Sequence, residues 1–255
     1  MPYLNRILVL WATPRSTSTA FEWAMENRGD MTCFHEPYNE AYYQGEDRRN
    51  DRYFIADPGL AARAGLSIGS VHRHLLELAG SQRVFVKDFA YSVMHMADDA
   101  FLDGIRHTFL IRDPEKVITS MHAKWPDISL GEIGFEDLHT LYRRVAEREG
   151  APPPVLDSDE LLDNPEGGMQ AYCEAVGIPY VPSTTRWEGR REERRERAPT
   201  WNPRAFVFHD RLRASTGLVR QKRDYPPLAS SRDMMRLHAA CKPHYDALYE
   251  VRLRF

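Results

Sequence analysis

The chain has 255 residues, of which 42% are hydrophobic and 28% charged, and its formal net charge is −3. This composition is typical of a soluble globular protein, and the small charge argues against a nucleic-acid partner. No apolar run approaches the roughly 20 residues of a membrane-spanning helix, and the three cysteines form no CxxC pair that would indicate a metal site. We therefore expect a cytoplasmic protein with a single domain over residues 1–255.

Apolar runs alternate with amphipathic stretches along the chain. Buried strands are predicted at 6–11, 31–37, 83–89, 107–112 and from Val155 onward. Helices are predicted after residue 18, at 70–80, 96–104, 135–149, 165–176 and 231–251, whereas 40–57 shows no clear period. Strands that alternate with helices predict a three-layer α/β fold, in which a mostly parallel central sheet is flanked by helices.

A loop joins the first predicted strand to the first helix, in the sequence TPRSTST. Free backbone amides at such a helix start, together with the helix dipole, form an anion site. The loop adds a cation and four hydroxyls: Arg15, Ser16, Thr17, Ser18 and Thr19. The Walker A pattern is absent, which argues against ATP hydrolysis of the usual kind. An ordinary cluster of hydroxyl helix caps is the alternative interpretation.

A second strand-to-helix junction has the sequence FLIRDPEKVITS. Asp113 is suited to cap the helix, and Pro114 fits its first turn. Ser120 lies about two helical turns beyond the cap on the same face, so that it and Arg112 could bind one phosphate. The alternative is that Arg112 pairs with a surface acid and Ser120 is simply exposed.

These two junctions resemble those of sulfotransferases that use 3′-phosphoadenosine-5′-phosphosulfate. PRSTST is similar to that family's 5′-phosphosulfate loop, with Arg15 in place of lysine and Thr17 where glycine is usual. The stretch at 155–179, the RWEG motif and the later STG motif are similar to bacterial and fungal small-molecule sulfotransferases, some of which carry aminotransferase-like labels. One departure is Ala20, which stands where the family has an adenine-stacking tryptophan.

The resemblance implies a P-loop-like fold, a small-molecule acceptor, 3′,5′-adenosine diphosphate as product and no metal. A homodimer stays open. Donor binding is expected at Arg15, Ser16, Thr17, Ser18, Thr19, Arg112, Ser120, Ser215, Thr216, Gly217 and Arg220, with help from Lys222 and Arg223. Aromatic residues expected around the acceptor are Phe34, Tyr38, Tyr42, Tyr43, Tyr53 and Trp125, about half of which should be core residues instead.

Sulfo transfer needs a cation at the leaving oxygen and a base for the acceptor proton. Arg15 and Lys87 are the expected cations, the latter because FVKDF lies where many relatives carry Lys-Thr-His. The histidine of that motif is replaced by phenylalanine here. Other relatives use a glutamate after the second strand, so Glu36 is the expected base, and Asp88 and His35 are its substitutes.

Two other functions fit part of the pattern. A small-molecule or nucleotide kinase is suggested by VFVKD, in which Asp88 resembles a Walker B ligand of Mg²⁺, although no Walker A lysine accompanies it. A non-catalytic nucleotide-binding module would keep the phosphate sites without a base. The Arg- and Glu-rich run at 186–197 is expected to be a solvated helix or a lid over the donor.

Overall fold

The structure is a computed structural model that describes residues 6–52, 61–187, 212, 215–221 and 224–255. Several expectations fall outside these residues. They are most of the charged run at 186–197, the pocket role of Tyr53, and the donor-binding roles of Lys222 and Arg223.

A five-stranded parallel sheet forms the centre of the described chain. Its strands are β1 Ile7–Ala12, β2 Thr32–His35, β3 Val84–Phe89, β4 Ile105–Ile111 and β5 Val155–Asp157. They lie in the order β2-β3-β1-β4-β5. Every residue of β1 is buried, as expected for a parallel strand covered on both faces. The predicted α/β fold with a parallel sheet is confirmed.

Helices join and cover the strands. Their bounds are α1 Ser18–Glu26, α2 Pro37–Gln44, α3 Ile68–Ala79, α4 Asp99–Asp103, α5 Pro114–His122, α6 Leu130–Ile133, α7 Phe135–Glu149, α8 Ser158–Asp163, α9 Pro165–Val176 and α10 Arg232–Glu250. The longer predicted helices are confirmed within about two residues. The predicted helix at 96–104 is shorter, because the Asp98 side chain caps its start and Gly104 follows its last turn.

Alternate side chains of β1 pack into cores on opposite faces of the sheet. Val9 and Trp11 lie in the core that includes residues of α3 and α7, whereas Leu8 and Leu10 lie in the core that includes residues of α1 and α9. Full burial of such a side chain contributes about 1.5–3 kcal/mol, so both helical layers are held strongly to the sheet. The result is the three-layer arrangement that the alternating pattern predicts.

Helix α2 forms within a stretch that includes residues without a helical period. Nearly all of its side chains are buried, and these include polar ones such as Asn39 and Glu40. A helix buried on most sides has no polar face, so its sequence carries no amphipathic signal. Glu36 is its N-cap residue and Pro37 occupies its first turn, where a missing N–H costs nothing. The candidate base Glu36 therefore lies between the end of β2 and the start of α2.

Candidate active site

The loop after β1 has a strained backbone. Arg15 and Thr17 have φ of 62° and 71°, in the left-handed region that disfavours β-branched side chains. Thr17 therefore adopts the conformation for which relatives use glycine. Its side chain caps no amide of α1. Ser16 Oγ donates to the carbonyl of Thr13 at 2.6 Å and closes the loop. Such strain is typical of loops that aim backbone groups at a ligand.

The structure brings this loop together with the residues after β4. Arg112 NH1 donates to the carbonyl of Arg15 at 2.8 Å, and Arg15 Nε donates to Ser120 Oγ at 3.0 Å. Ser120 Oγ donates in turn to the hydroxyl of Tyr225 at 3.1 Å. Asp113 caps α5 through the amide of Glu115, as predicted. Tyr225 was not predicted, because nothing in its local sequence indicates a contact with a helix 105 residues away.

Arg112 keeps an unused donor in a buried position. Its Nε is buried without a hydrogen-bond partner among the described residues, and it lies 4.0 Å from Asp159 Oδ2. Burial lowers the pKa of Arg112 and the Asp159 carboxylate opposes that shift. The hydroxyl oxygen of Thr13, at the start of the β1 loop, is also buried and unpaired in the described structure. Buried donors of this kind fit an anionic ligand that would complete their hydrogen bonds.

Asp159 gathers the basic side chains at this edge. Its Oδ1 lies 3.0 Å from Lys116 Nζ and 2.9 Å from Arg220 NH1. Arg220 also contacts Asp163 at 2.7 Å, so Asp159 and Asp163 hold the predicted donor-binding arginine. Through Asp159, the structure places Arg220 beside Arg112. Asp159 itself was not singled out from the sequence.

The STG motif contacts the RWEG motif. The backbone amide and the indole Nε1 of Trp187 donate to the carbonyls of Thr216 and Ser215, at 2.9 and 3.0 Å. A Cβ atom at Gly217 would lie 2.4 Å from the carbonyl oxygen of Thr185, which explains the glycine by close backbone approach. Within the described part of the chain, the hydrogen bonds of Ser215, Thr216 and Gly217 do not reach the β1 loop, and the role of these residues in donor binding stays a prediction.

An aromatic ring lies one helical turn beyond Ala20. Trp23 of α1 is 9% exposed and packs edge-on against Trp187, with ring centroids 5.8 Å apart. Among the expected acceptor aromatics, Phe34 and Tyr38 belong to the sheet core, which agrees with the expectation that part of the set is packing.

A carboxylate and a lysine meet at the ends of β2 and β3. Glu36 follows β2 and has a φ of 51°. Lys87 on β3 is fully buried and forms an ion pair with Glu36 Oε1. Asn39 Nδ2 donates to Glu36 Oε2 at 3.1 Å. The structure thus brings together two of the predicted catalytic residues, and each oxygen of the carboxylate has a partner.

Asp88 occupies a different position from Glu36. Its oxygens accept the backbone amides of Tyr38, Asn39 and Phe89 at 2.7, 3.1 and 2.8 Å. Burial, and next to it the Glu36 charge, raise the pKa of Asp88 well above its usual range. These contacts fix the start of α2 against β3. They also occupy the oxygens that a proton acceptor or a metal ligand would need.

Two further acidic residues flank the pair. Glu22 Oε2 of α1 lies 2.6 Å from His35 Nδ1, and both side chains are buried. Glu40 lies one turn after Glu36 and forms an ion pair with Arg63. Burial raises the pKa of Glu40 to about 7, and Arg63 opposes that shift. Neither carboxylate was predicted, since each depends on a partner from another element.

Two groups of residues lie at the carboxyl ends of the strands. They are the Arg112 group, which comprises Arg112, Ser120, Asp159 and Tyr225, and the Glu36 group, which comprises Glu36, Lys87 and Asn39. β1 is the neighbour of both β3 and β4, so its loop separates the Arg112 group from the Glu36 group. The carboxyl ends of parallel strands form the ligand crevice in folds of this kind. Within the described residues there is no group of three or more His, Cys, Asp or Glu placed to hold a metal ion. The described helices are all too short or too polar to cross a membrane.

Known proteins resemble this chain at a distance. Two Arabidopsis thaliana proteins, the branched-chain-amino-acid aminotransferase-like proteins 2 and 1, are each 25% identical over 183 and 179 residues. The matches cover 71% and 70% of this chain but only 32% and 31% of those proteins, so the chain spans about a third of their length. Among solved structures, the sulfotransferase domain from the curacin biosynthetic pathway has 14% identity and a TM-score of 0.49, covering 94% of this chain and 98% of that one.

A family match covers much more of the sequence. The family described as sulfotransferase domain matches residues 6–251. That range includes the β1 loop, the Arg112 group, the Glu36 group and helix α10. The chain therefore belongs to the sulfotransferase domain family.

Proposed function

We propose that this protein moves a sulfo group from 3′-phosphoadenosine-5′-phosphosulfate to a hydroxyl or amine of a small-molecule acceptor. The observation that carries the proposal is the pairing of two anion sites at neighbouring strand ends. One is the strained loop of Arg15 and Thr17. The other is the buried Arg112, whose Nε has no hydrogen-bond partner among the described residues and which is linked to Ser120 through Arg15. A donor with phosphate groups at both ends of a ribose suits two such sites, whereas a triphosphate would use one.

The donor's two ends would be held by different elements. The amides at the start of α1, with the hydroxyls of Ser18 and Thr19, would bind the 5′-phosphosulfate. Arg112 and Ser120 would bind the 3′-phosphate, with Arg220 nearby through Asp159. Arg15 contacts Ser120 and supplies its own carbonyl to Arg112, so it links the two sites. The donor would supply an activated sulfur, and its bridging oxygen would leave as part of 3′,5′-adenosine diphosphate.

Glu36 is the proposed base. In the step proposed, the acceptor oxygen or nitrogen forms a bond to sulfur while the bridging S–O bond breaks, and its electron pair stays on the leaving oxygen. The acceptor proton goes to a Glu36 oxygen. The oxygens of Glu36 are held by the side chains of Lys87 and Asn39. Those of Asp88 accept three backbone amides, which give Asp88 a structural role at the start of α2, and Glu36 is therefore favoured as the base.

Lys87 and Arg15 are the proposed cations for the leaving oxygen. Lys87 lies on β3, directly paired with Leu10 of β1, so its strand adjoins the one that leads into the phosphate loop. Its ammonium also holds the base through the ion pair with Glu36. A buried ammonium close to the site where negative charge grows stabilises the transition state more than the ground state.

The kinase alternative depends on Asp88 as a ligand of Mg²⁺. The three backbone amides that Asp88 accepts leave it poorly placed for that role. The non-catalytic alternative gives no role to the buried ion pair between Lys87 and Glu36. Neither alternative is favoured by a specific contact.

Calorimetric titration tests the donor. Purified protein in a metal chelator should bind 3′,5′-adenosine diphosphate and should be stabilised by it against heat. Binding of ATP with Mg²⁺, without binding of 3′,5′-adenosine diphosphate, would contradict the proposal. A mass-spectrometric screen of alcohols, phenols and amines with the donor then identifies the acceptor class.

A further inference from the structure

The start of helix α2 is capped by a residue from another strand. An N-cap side chain usually accepts the backbone amide of the second or third helical residue. At α2 those amides, of Tyr38 and Asn39, donate instead to Asp88 of β3, at 2.7 and 3.1 Å. The N-cap residue Glu36 has φ of 51°, and its side chain accepts no capping bond. The Glu36 carboxylate is therefore not engaged in capping the helix whose start it occupies.

The side chain of Asn39 links this carboxylate to two hydroxyls. Its Nδ2 donates to Glu36 Oε2 at 3.1 Å. Its Oδ1 accepts the hydroxyl of Tyr91 at 2.9 Å and that of Ser92 at 3.3 Å. An ionised carboxylate can only accept, so the amide nitrogen must face Glu36 and the amide oxygen must face the hydroxyls. The orientation of the Asn39 amide is thus fixed by the chemistry of its partners.

The ring of Tyr91 is itself held in place. It stacks on Phe89 with ring centroids 5.6 Å apart, and it packs edge-on against Tyr42 at 5.4 Å. A Cβ atom at Gly134 would lie 2.9 Å from Tyr91 Cδ1, so the turn between α6 and α7 packs closely against the ring. Because the ring is fixed, its hydroxyl can fix the amide of Asn39 in turn.

The two oxygens of Glu36 have partners of different charge. Lys87 forms an ion pair with Oε1, whereas the neutral amide of Asn39 binds Oε2. An ionised carboxylate has about four acceptor sites, so these two partners leave sites for a proton. Since the ammonium stabilises negative charge on Oε1, Oε2 is the oxygen better suited to take that proton.

We infer that Asn39 is a positioning residue: its amide, fixed by two hydroxyls, holds Glu36 so that Oε2 receives the acceptor proton. The inference rests on the proposed function, in which Glu36 is the base. In the step, the acceptor O–H or N–H bond breaks, its electron pair stays on the acceptor atom, and the proton forms an O–H bond to Oε2. The bond from Asn39 persists, because a protonated carboxyl oxygen still accepts an N–H.

A change of charge at Asn39 tests the inference. Asn39→Asp keeps the shape of the side chain and the backbone bond to Asp88, but it places a second carboxylate opposite Oε2. Repulsion between like charges favours a protonated carboxyl, so the acidic limb of the pH–rate profile should move to higher pH. Titratable neighbours of Glu36 that this variant leaves unchanged are His35, Glu40, Lys87, Asp88 and Tyr91. Asn164→Asp is the matched control and should leave the profile unchanged, because Asn164 caps α9 and aspartate caps a helix equally well.

A double-mutant cycle gives a readout that a purely structural role would not move. Tyr91→Phe removes only the hydroxyl and should lower kcat about three- to tenfold, with unchanged binding of 3′,5′-adenosine diphosphate. Asn39→Ala should lower kcat roughly a hundredfold, the order expected when a catalytic group is misplaced. In Asn39→Ala, Tyr91→Phe should lower kcat by less than about twofold further, because the hydroxyl acts through Asn39.

The outcomes separate the inference from the proposed function. An acidic limb of Asn39→Asp at the same pH as in the control, or a full effect of Tyr91→Phe in Asn39→Ala, overturns the inference. If both Asn39 variants fail to fold, Tyr91→Phe and Ser92→Ala decide, and a kcat equal to that of the wild type in both overturns it. A wild type that transfers no sulfo group overturns the proposed function itself.

Discussion

Replacement of Arg112 by alanine tests how much the 3′-phosphate contributes to donor binding, separately from the rest of the donor. One guanidinium nitrogen, NH1, is used on the carbonyl of Arg15, and the buried Nε is unused. The fold should survive, because Asp159 keeps Lys116 and Arg220 as partners. A charged hydrogen bond to phosphate is worth about 1.5–3 kcal/mol, so affinity for 3′,5′-adenosine diphosphate should fall roughly ten- to hundredfold.

The assay compares two nucleotides by calorimetry. The wild type should prefer 3′,5′-adenosine diphosphate over 5′-AMP, and Arg112→Ala should lose most of that preference while it keeps its affinity for 5′-AMP. Arg106→Ala is the matched control, since Arg106 lies near the other end of β4 and donates to the carbonyl of Ala175. If Arg112→Ala discriminates between the two nucleotides as well as the wild type does, the assignment of the 3′-phosphate to Arg112 is wrong.

Three further variants test the other parts of the site. Glu36→Gln should keep donor binding but lose about 10²–10⁴-fold in turnover, and the acidic limb of the pH–rate profile should vanish; an inactive Asp88→Asn beside a normal Glu36→Gln would contradict the choice of base. Arg15→Ala and Lys87→Met should each lower kcat more than donor affinity, and equal losses of the two would show that these cations serve only the ground state. Glu40→Gln tests the raised pKa of about 7: a carboxyl whose pKa is raised on folding stabilises below its unfolded pKa and loses that contribution as pH rises through the folded pKa. The free energy of unfolding of Glu40→Gln, measured by urea denaturation, should therefore rise relative to that of the wild type by about 1–2 kcal/mol between pH 5 and pH 8, with allowance for solvent screening at the half-exposed Arg63. If this difference does not rise with pH, the argument that burial raises the pKa of Glu40 is refuted.

The strands and the two strand-to-helix junctions could be predicted from the sequence because both are local. A parallel strand buried on both faces is a continuous apolar run, as RILVLW and HTFLIR show. A loop with hydroxyls and arginine that leads from such a run into a helix indicates an anion site within about ten residues, and that role stays a prediction. The left-handed conformation of Thr17, with φ of 71°, could not be predicted, because a β-branched residue disfavours it although relatives have glycine at this position.

The rest of the site depends on contacts between distant elements. Glu22 and His35 meet because α1 packs beside β2, and nothing in either local sequence indicates the other. Asp159 contacts Arg112 from a position 47 residues later in the chain. Tyr225 contacts Ser120 from a position 105 residues later. Asp88 resembles a free strand-end carboxylate in the sequence, and only the start of α2 shows that its oxygens are taken.

The most direct test of the account measures which group the protein transfers. Two parallel reactions use the same acceptor mixture, one with sulfur-labelled 3′-phosphoadenosine-5′-phosphosulfate in a chelator, and one with ATP labelled at its terminal phosphate in Mg²⁺. The account predicts acceptor-dependent transfer of label from the phosphosulfate alone, and its loss in Glu36→Gln. Transfer of phosphate from ATP, with none of the sulfur label, would contradict it.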